Sequence, residues 1–269
     1  MDLKGASVSV VGAGSMGGAI ARGLVASGAM DASSVSAFDL AEAALAPLAE
    51  LGIRCCDDLD ELVGLDADVL VLAVKPQVLP GVLAQLAGSL EGRLVVSIAA
   101  GVKLATLEGA LPGARVVRVM PNLPLQVLSG ATAVCPGASA LSDDGRLVQA
   151  LFAALGSAQL MTEAQLDVAG AITGCGPAFF ALFVDDLTRA GVRAGLPAAA
   201  CREMVLATMG GVATQLLQSG EHPRAYMEKV TSPGGTTAAA LDAMECELWT
   251  CTNDAVDAAL ERTRELAKG

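Results

Sequence analysis

The chain has 269 residues and a formal net charge of −12 at pH 7, because 29 Asp and Glu residues outnumber 17 Lys and Arg residues. This length suffices for one large domain or two modest ones. The acidic balance argues against a nucleic-acid partner, which requires clustered cations, and equally against an anionic membrane surface. Seven cysteines without a CxxC pair, and an amino-terminal segment unlike a signal peptide, indicate reduced thiols in the cytoplasm.

Two further classes of protein are disfavoured by the sequence. Cys246, Cys251 and His222, the only histidine, lack the spacing of zinc ligands, so no metal site is predicted. The longest uncharged stretch, residues 168–184, is interrupted by GCGP and is shorter than the roughly 20 apolar residues of a bilayer span. We therefore interpret it as a helix buried at a subunit interface and expect no membrane association.

The first half of the chain alternates apolar strands with helical segments. In chain order, the predicted strands are residues 7–11, 35–38, 68–74, 93–100 and 114–121. This alternation predicts an α/β fold with a parallel, doubly wound sheet covered on both faces. Residues after about 160 have only helical periodicity, so we predict a sheet domain over 1–160 and an all-α domain over 161–269. The predicted helices carry few charges, which indicates self-association through them.

The segment GAGSMG, residues 12–17, follows the first strand, opens a helix and fits the GxGxxG fingerprint of a Rossmann-type dinucleotide-binding domain. Gly12 would permit the tight turn, Gly14 the approach of a pyrophosphate, and Gly17 close packing of helix on strand. The predicted cofactor loop consists of these glycines with Ala13, Ser15 and Met16. The alternative is a glycine turn that serves packing alone.

The acid at the end of the second strand bears on the choice of dinucleotide. Asp39 lies 22 residues after Gly17, where a carboxylate would take the ribose hydroxyls. A carboxylate repels a 2′-phosphate, and the next residues, Leu40, Ala41 and Glu42, bring no cation. This pattern favours NADH over NADPH.

The residue inventory favours reduction of a C=N bond over oxidation of an alcohol. Alcohol oxidation needs a general acid or base, usually His or Lys. His222 lies in a GEHP turn and is interpreted as a turn or capping residue. Lys75 ends a strand where ligands bind such sheets, but no lysine lies in the apolar helix after Thr173. A protonated imine is already electrophilic, so the protein chiefly has to orient it against the cofactor.

A second glycine turn, TSPGGTT at residues 231–237, opens the last helical segment. Gly234 and Gly235 clear side chains from a helix start near Thr236, which creates a small anion site suited to a substrate carboxylate. Ser232 and the N–H groups of residues 234–237 would hold the carboxylate, with the Thr237 hydroxyl near the ring nitrogen. The alternative is an ordinary helix N-cap.

These motifs resemble those of the pyrroline-5-carboxylate reductase family along essentially the whole chain. The matching stretches are VGAGSMGGAIARGL (11–24), LAVKPQ (72–77), VSIAAGV (96–102), RVMPN (118–122), GCGPAFF (174–180) and TSPGGTTAAAL (231–241). The resemblance implies hydride transfer from NAD(P)H to 1-pyrroline-5-carboxylate, the last step of proline biosynthesis. It also implies a homodimer interlocked through the carboxyl-terminal helices, which can assemble into a decamer.

The resemblance also assigns roles to individual residues. Cofactor contacts are implied for Val74, Lys75, Pro76 and Asn122. Substrate contacts are implied for Ser232, Gly235, Thr236 and Thr237, with the Thr237 hydroxyl bonded to the ring nitrogen. Thr173 and Cys175 lie in the substrate pocket at positions where the family often has serines.

The chain departs from the family pattern where NADPH would be recognised. Leu40 and Leu59 stand where the family often has an Arg or Ser and an Asn, and Leu123 replaces a threonine. NADPH is often used in the family, whereas Asp39, Leu40 and Leu59 favour NADH here. Two alternatives to the reductase remain open, namely a reductase of a six-membered cyclic imine acid and a non-catalytic dinucleotide sensor.

Overall fold

The computed structural model describes residues 3–266 and falls into two compact units. One unit comprises the residues up to Cys175 together with those from Leu260 onward, and the other is Gly176–Ala259. The predicted domain boundary between residues 160 and 161 stays a prediction, and in the structure the helix that follows it packs on the sheet of the first unit.

The first unit is built on one sheet, which has eight strands within residues 3–266. The strands are β1 Val8–Val11, β2 Val35–Phe38, β3 Arg54–Cys55, β4 Val69–Leu72, β5 Leu94–Ser97, β6 Arg115–Met120, β7 Gly130–Pro136 and β8 Gly156–Leu160. Their order across the sheet is β3-β2-β1-β4-β5-β6-β7-β8. All neighbouring pairs are parallel except β6 and β7.

Helices cover both faces of this sheet. They are α1 Ser15–Ala26, α2 Glu42–Ala49, α3 Leu59–Gly64, α4 Leu79–Leu86, α5 Leu104–Ala110, α6 Asp144–Ala153 and α7 Glu163–Ala169. Successive residues of a strand point to opposite faces, so Val69 and Val71 of β4 join one hydrophobic core while Leu70 and Leu72 join the other. Two buried faces explain why the central strands are continuously apolar.

The predicted α/β fold with a parallel, doubly wound sheet is confirmed, as are the five predicted strands, and one neighbouring pair, β6 and β7, is antiparallel. β7 runs antiparallel to β6 because only a short segment, with a 3-10 helix at Leu123–Val127, joins them. A parallel return would require a crossover connection of a dozen or more residues. β3, β7 and β8 were not predicted from the sequence.

The second unit is helical. It contains α8 Gly176–Arg193, α9 Ala198–Ser219, α10 Pro223–Lys229 and the residues up to Ala259 of α11 Thr236–Leu266. No strand follows β8 as far as residue 266, which confirms the predicted change to helices. His222 is the N-cap of α10, where its Nδ1 accepts a hydrogen bond of 3.1 Å from the Arg224 N–H, so its interpretation as a capping residue is also confirmed.

The second unit leaves large apolar side chains exposed. Phe180, Met204 and Trp249 have exposed fractions of 63%, 62% and 71%. Residues Glu163–Arg193 form one helical run that could cross a membrane by length and composition, with a mean hydropathy of 1.5 in an 18-residue window. A single helix of this kind is weak evidence for a membrane span, because helices in the cores of soluble proteins meet the same criteria.

Candidate active site

The glycine loop after β1 has the geometry that a dinucleotide pyrophosphate requires. Gly12 adopts a φ of +94°, which favours glycine, and a Cβ there would lie 2.9 Å from the carbonyl oxygen of Ala73. A Cβ on Gly17 would overlap the carbonyl oxygen of Gly12. A Cβ on Gly14 would meet nothing within 4 Å. Gly12 and Gly17 are therefore fixed by packing, whereas Gly14 faces the open side of the loop.

The start of α1 completes this anion-binding geometry. The helix begins at Ser15, and no side chain caps its first turn and no acidic residue lies in it. The first N–H groups and the positive end of the helix dipole are therefore available to a phosphate. Gln126 secures the loop from the side by donating to the Ser15 Oγ at 3.1 Å. The predicted loop residues thus fit a dinucleotide.

Asp39 is tied to the same loop by its carboxylate. Its Oδ2 accepts a hydrogen bond of 2.7 Å from the Ala13 N–H, and its Oδ1 accepts one of 2.8 Å from the Ala41 N–H. A carboxylate has about four acceptor sites, so it retains capacity for a ribose hydroxyl. Leu40 beside it is 89% exposed, whereas Leu59 is buried in the core formed with α3 and α4.

The residues that follow β4 lie next to the glycine loop. Val74 approaches Gly12 so closely that a Cβ on Gly12 would lie 3.0 Å from the Val74 Cγ1. Lys75 is exposed, and its carbonyl oxygen accepts from the N–H groups of Val78 and Leu79 at 2.9 and 3.1 Å. Pro76 is half-buried in the same turn. This edge is the carboxyl end of the parallel strands, where ligands bind in open α/β sheets.

Asn122, Thr173 and Cys175 lie at the junction between the end of β6 and a π-helical turn at Gly170–Gly174. Asn122 is buried, and its Nδ2 donates to the carbonyl oxygen of Thr173 at 3.0 Å. The Thr173 hydroxyl donates to the carbonyl oxygen of Ala169 at 2.8 Å. Cys175 is half-buried at the end of the turn. Asn122 and Thr173 are thus in direct contact, which their separation in the sequence did not indicate.

The second group of predicted site residues lies in the second unit. Residues 232–235 form a turn closed by a hydrogen bond of 3.0 Å from the Gly235 N–H to the Ser232 carbonyl oxygen. Gly234 has a φ of +69°, and Pro233 before it favours such a turn. Helix α11 begins at Thr236, which confirms the predicted helix start. Ser232 is exposed and Thr237 is half-buried on the first turn.

An ion-pair cluster around the buried Arg118, not predicted from the sequence, joins α7 to the sheet. The Arg118 guanidinium on β6 pairs with Glu163 at 3.0 Å and with Asp167 at 2.9 Å, and Lys103 also pairs with Asp167. Burial would raise the pKa of Asp167, but Lys103 and Arg118 outweigh it and hold that pKa below its usual value. Arg118, which lies between Val117 and Val119 inside β6, was the available signal for a buried pair.

The cysteines and potential metal ligands were also located. All seven cysteines are free thiols. Burial raises the pKa of the thiols of Cys55 and Cys135. Among residues 3–266, no group of three or more His, Cys, Asp or Glu side chains could hold a metal ion.

Family models match two parts of the chain. Residues 163–266 match the model described as pyrroline-5-carboxylate reductase dimerisation, and residues 7–101 match the model described as NADP oxidoreductase coenzyme F420-dependent. The first match covers the helices with exposed apolar side chains, and the second covers the glycine loop. The chain therefore carries a dinucleotide-binding oxidoreductase region and a region for self-association.

Individual proteins are similar over the whole length. The pyrroline-5-carboxylate reductase of Arabidopsis thaliana is 35% identical over 271 residues, covering 97% of this chain and 95% of the relative. The structure of the Coxiella burnetii pyrroline-5-carboxylate reductase superposes with a TM-score of 0.93 at 30% identity, covering 98% of this chain and 99% of that one. The Plasmodium falciparum pyrroline carboxylate reductase with NADP bound gives 0.84 at 28% identity, covering 98% of both chains. The chain belongs to the pyrroline-5-carboxylate reductase family.

Proposed function

We propose that this protein is an NAD(P)H-dependent oxidoreductase that reduces the C=N bond of 1-pyrroline-5-carboxylate to give L-proline, the last step of proline biosynthesis. The observation that carries the proposal is the turn at residues 232–235. Gly234 adopts a φ of +69° and a Cβ there would meet nothing within 4 Å, while the Ser232 hydroxyl lies beside Gly235. Thr237 follows on the first turn of α11. The family membership of the chain supplies the substrate class.

The cofactor supplies the hydride when bound, and the residues of the chain bind the cofactor and the substrate and orient them. We propose that the loop of residues 12–17 holds the pyrophosphate at the start of α1, because Gly14 faces open space and the first turn of α1 contains no acidic residue. Asp39 would bind the ribose with its remaining acceptor sites. Val74, Lys75 and Pro76 would line the cofactor at the carboxyl edge of β4.

The substrate would be held by its carboxylate and its ring nitrogen. Ser232, Gly234, Gly235 and Thr236 would receive the carboxylate through the Ser232 hydroxyl and the backbone N–H groups of this segment other than that of Gly235, which donates to the Ser232 carbonyl oxygen. The Thr237 hydroxyl would bond the ring nitrogen and orient the C=N bond. Thr173 and Cys175, on the π-helical turn of the first unit, are proposed as further substrate contacts.

The preferred dinucleotide is a finer proposal. We propose NADH, because the Asp39 carboxylate sits at the glycine loop, Leu40 beside it is apolar, and Leu59 is buried where it offers no donor. Against this, one family model and the Plasmodium falciparum relative are described with NADP. Comparing kcat/KM for NADH and NADPH at saturating imino acid tests the proposal.

The chain self-associates through its carboxyl-terminal region, and we propose that this produces a homodimer that further assembles into a decamer. The exposed side chains of Phe180, Met204 and Trp249 would be covered in the dimer, so the apolar run at Glu163–Arg193 would serve packing between subunits and not a membrane. Light scattering of the purified protein measures its oligomeric state. We also propose a cytoplasmic location, supported by the seven free thiols.

The proposed reaction is tested by steady-state turnover of the wild type and of Thr237→Ala. Loss of one positioned hydrogen-bonding group lowers turnover by roughly 10- to 1000-fold. The control is Thr106→Ala, an exposed threonine on α5 outside every segment assigned to the site. An unchanged rate in Thr237→Ala would remove this residue from the reaction.

A further inference from the structure

The π-helical turn at Gly170–Gly174 is explained by a proline at residue 177, three residues after the turn ends. In a regular α-helix, the carbonyl oxygen of Thr173 would accept a hydrogen bond from the N–H of residue 177. That residue is Pro177, which has no N–H and whose ring crowds the carbonyl of residue i−4. The Thr173 carbonyl therefore loses its usual partner, and the helix widens at this point.

Asn122 supplies the missing donor from another part of the chain. Its Nδ2 reaches the Thr173 carbonyl oxygen at 3.0 Å, and its Oδ1 accepts from the Ala131 N–H of β7 at 2.8 Å. Asn122 is the N-cap of the 3-10 helix Leu123–Val127, yet its side chain caps nothing there. An asparagine at a helix start usually bonds its own helix, so the outward orientation serves the π-helical turn.

Met120, two residues before Asn122, packs against the same turn. A Cβ on Gly170 would lie 3.2 Å from the Met120 Cε, and a Cβ on Gly174 would lie 3.3 Å from it. Gly170 and Gly174 are the first and last residues of the turn, and their lack of side chains leaves room for the Met120 side chain. The end of β6 thus holds the turn by one packed side chain and one buried hydrogen bond.

We infer that Asn122 is a positioning residue for the reduction, acting on the imino acid through the turn that carries Thr173 and Cys175 and not through a contact with the cofactor. The inference rests on the proposed function, because it takes these two residues as substrate contacts. It replaces the cofactor contact expected for Asn122, whose amide oxygen and one amide N–H are already bonded inside the protein. π-Helical turns occur frequently at functional sites.

The test compares Asn122→Asp with Gln149→Glu. Asn122→Asp removes the donor to Thr173 and keeps an acceptor for Ala131. Gln149→Glu removes a similar bond, from Gln149 Nε2 to the Ala158 carbonyl oxygen at 2.9 Å, on α6 outside the site. We expect Asn122→Asp to raise the KM for 1-pyrroline-5-carboxylate at least tenfold, with the Kd for NADH and NADPH within about twofold of wild type. Gln149→Glu should leave both constants unchanged.

A second readout does not depend on turnover. Amide hydrogen exchange of residues 170–176 should accelerate in Asn122→Asp and not in Gln149→Glu, and adding Pro177→Ala to Asn122→Asp should restore part of the protection because residue 177 then donates. A weaker Kd for the dinucleotide at unchanged KM would overturn the inference, as would equal exchange in both variants. If the wild type shows no turnover, the proposed function fails. The exchange measurement still tests whether the Asn122 side chain stabilises the π-helical turn.

Discussion

The Asp39 carboxylate accepts a hydrogen bond of 2.7 Å from the backbone N–H of Ala13, inside the glycine loop that follows β1. This contact places a negative charge at the loop that would receive the dinucleotide. The same carboxylate therefore shapes the loop and repels any further phosphate placed near it. We propose that the choice between NADH and NADPH depends on this carboxylate.

Replacing Asp39 by Asn should improve the use of NADPH. The change removes one negative charge and keeps an oxygen that can accept from Ala13. A unit charge a few ångströms away is worth roughly 1 to 2 kcal/mol at a partly solvated site, so the ratio of kcat/KM for NADPH to that for NADH should rise about tenfold.

The matched control for that variant is Asp68→Asn. The Asp68 carboxylate also accepts from a backbone N–H, that of Ser7 at 2.8 Å, but it lies at the amino-terminal ends of β1 and β4. Asp68→Asn should leave the ratio of kcat/KM for NADPH to that for NADH unchanged. Equal ratios in the wild type and Asp39→Asn would show that Asp39 does not discriminate between the two dinucleotides.

Substitutions of two glycines in the loop should affect different properties, one the stability of the protein and the other the binding of the dinucleotide. Gly17→Ala should destabilise the protein by about 3 kcal/mol, because its Cβ overlaps the Gly12 carbonyl oxygen and backbone must move. Gly14→Ala should cost less than about 1 kcal/mol, since its Cβ enters open space, yet weaken dinucleotide binding at least about tenfold. Urea unfolding and dinucleotide titration measure the two effects. Equal losses of stability would contradict the assigned geometry.

The ion pairs of Arg118 should make stability depend on pH. The folded pKa of Asp167 is held below that of the unfolded chain, so its contribution is present above about pH 4 and is lost as pH falls through the folded pKa. Asp167→Asn should lower the free energy of unfolding by roughly 2 to 3 kcal/mol at pH 7, because Arg118 keeps only Glu163 as a partner. The difference from wild type should shrink on acidification, and a difference that stays constant down to pH 3 would refute the assignment.

Thr132 on β7 should tolerate loss of its hydroxyl. The residue is 5% exposed, and its Oγ1 has no hydrogen-bond partner among the described residues. Thr132→Val replaces an unsatisfied buried hydroxyl by a methyl group and should leave stability unchanged or raise it by about 1 kcal/mol. Ser9→Ala is the contrast, because Ser9 Oγ and Ser36 Oγ are bonded at 2.8 Å in the core. A loss in Thr132→Val as large as in Ser9→Ala would reveal an unrecognised partner.

The sequence predicted those features that depend on local pattern. The five predicted apolar strands, the glycine loop and the start of α11 at Thr236 follow from periodicity and turn chemistry. The strands at Gly130–Pro136 and Gly156–Leu160 were missed because GATAVCP and GSAQL contain little of the β-branched and aromatic content typical of strands. They form strands because they pair with β6 and with each other, which is a tertiary effect.

The contacts that join distant segments of the chain were not predicted from the sequence either. Arg118 meets Glu163 and Asp167 across 45 and 49 positions of sequence, and Asn122 meets Thr173 across 51. Each contact depends on how α7 and the π-helical turn pack on the sheet. Pro177 was a local sign of the contact at Thr173, because it removes a backbone donor that another group then has to replace.

The most direct test of the proposed function is the oxidation of NADH and of NADPH, in parallel, by the purified protein with 1-pyrroline-5-carboxylate, followed by the near-ultraviolet absorbance of the reduced nicotinamide. The account predicts turnover that forms L-proline, faster with NADH, and lowered roughly 10- to 1000-fold by Thr237→Ala. Absence of turnover with both dinucleotides, while a six-membered cyclic imine acid is reduced, would contradict the assigned substrate. Absence of turnover with either imine would leave a dinucleotide sensor as the function.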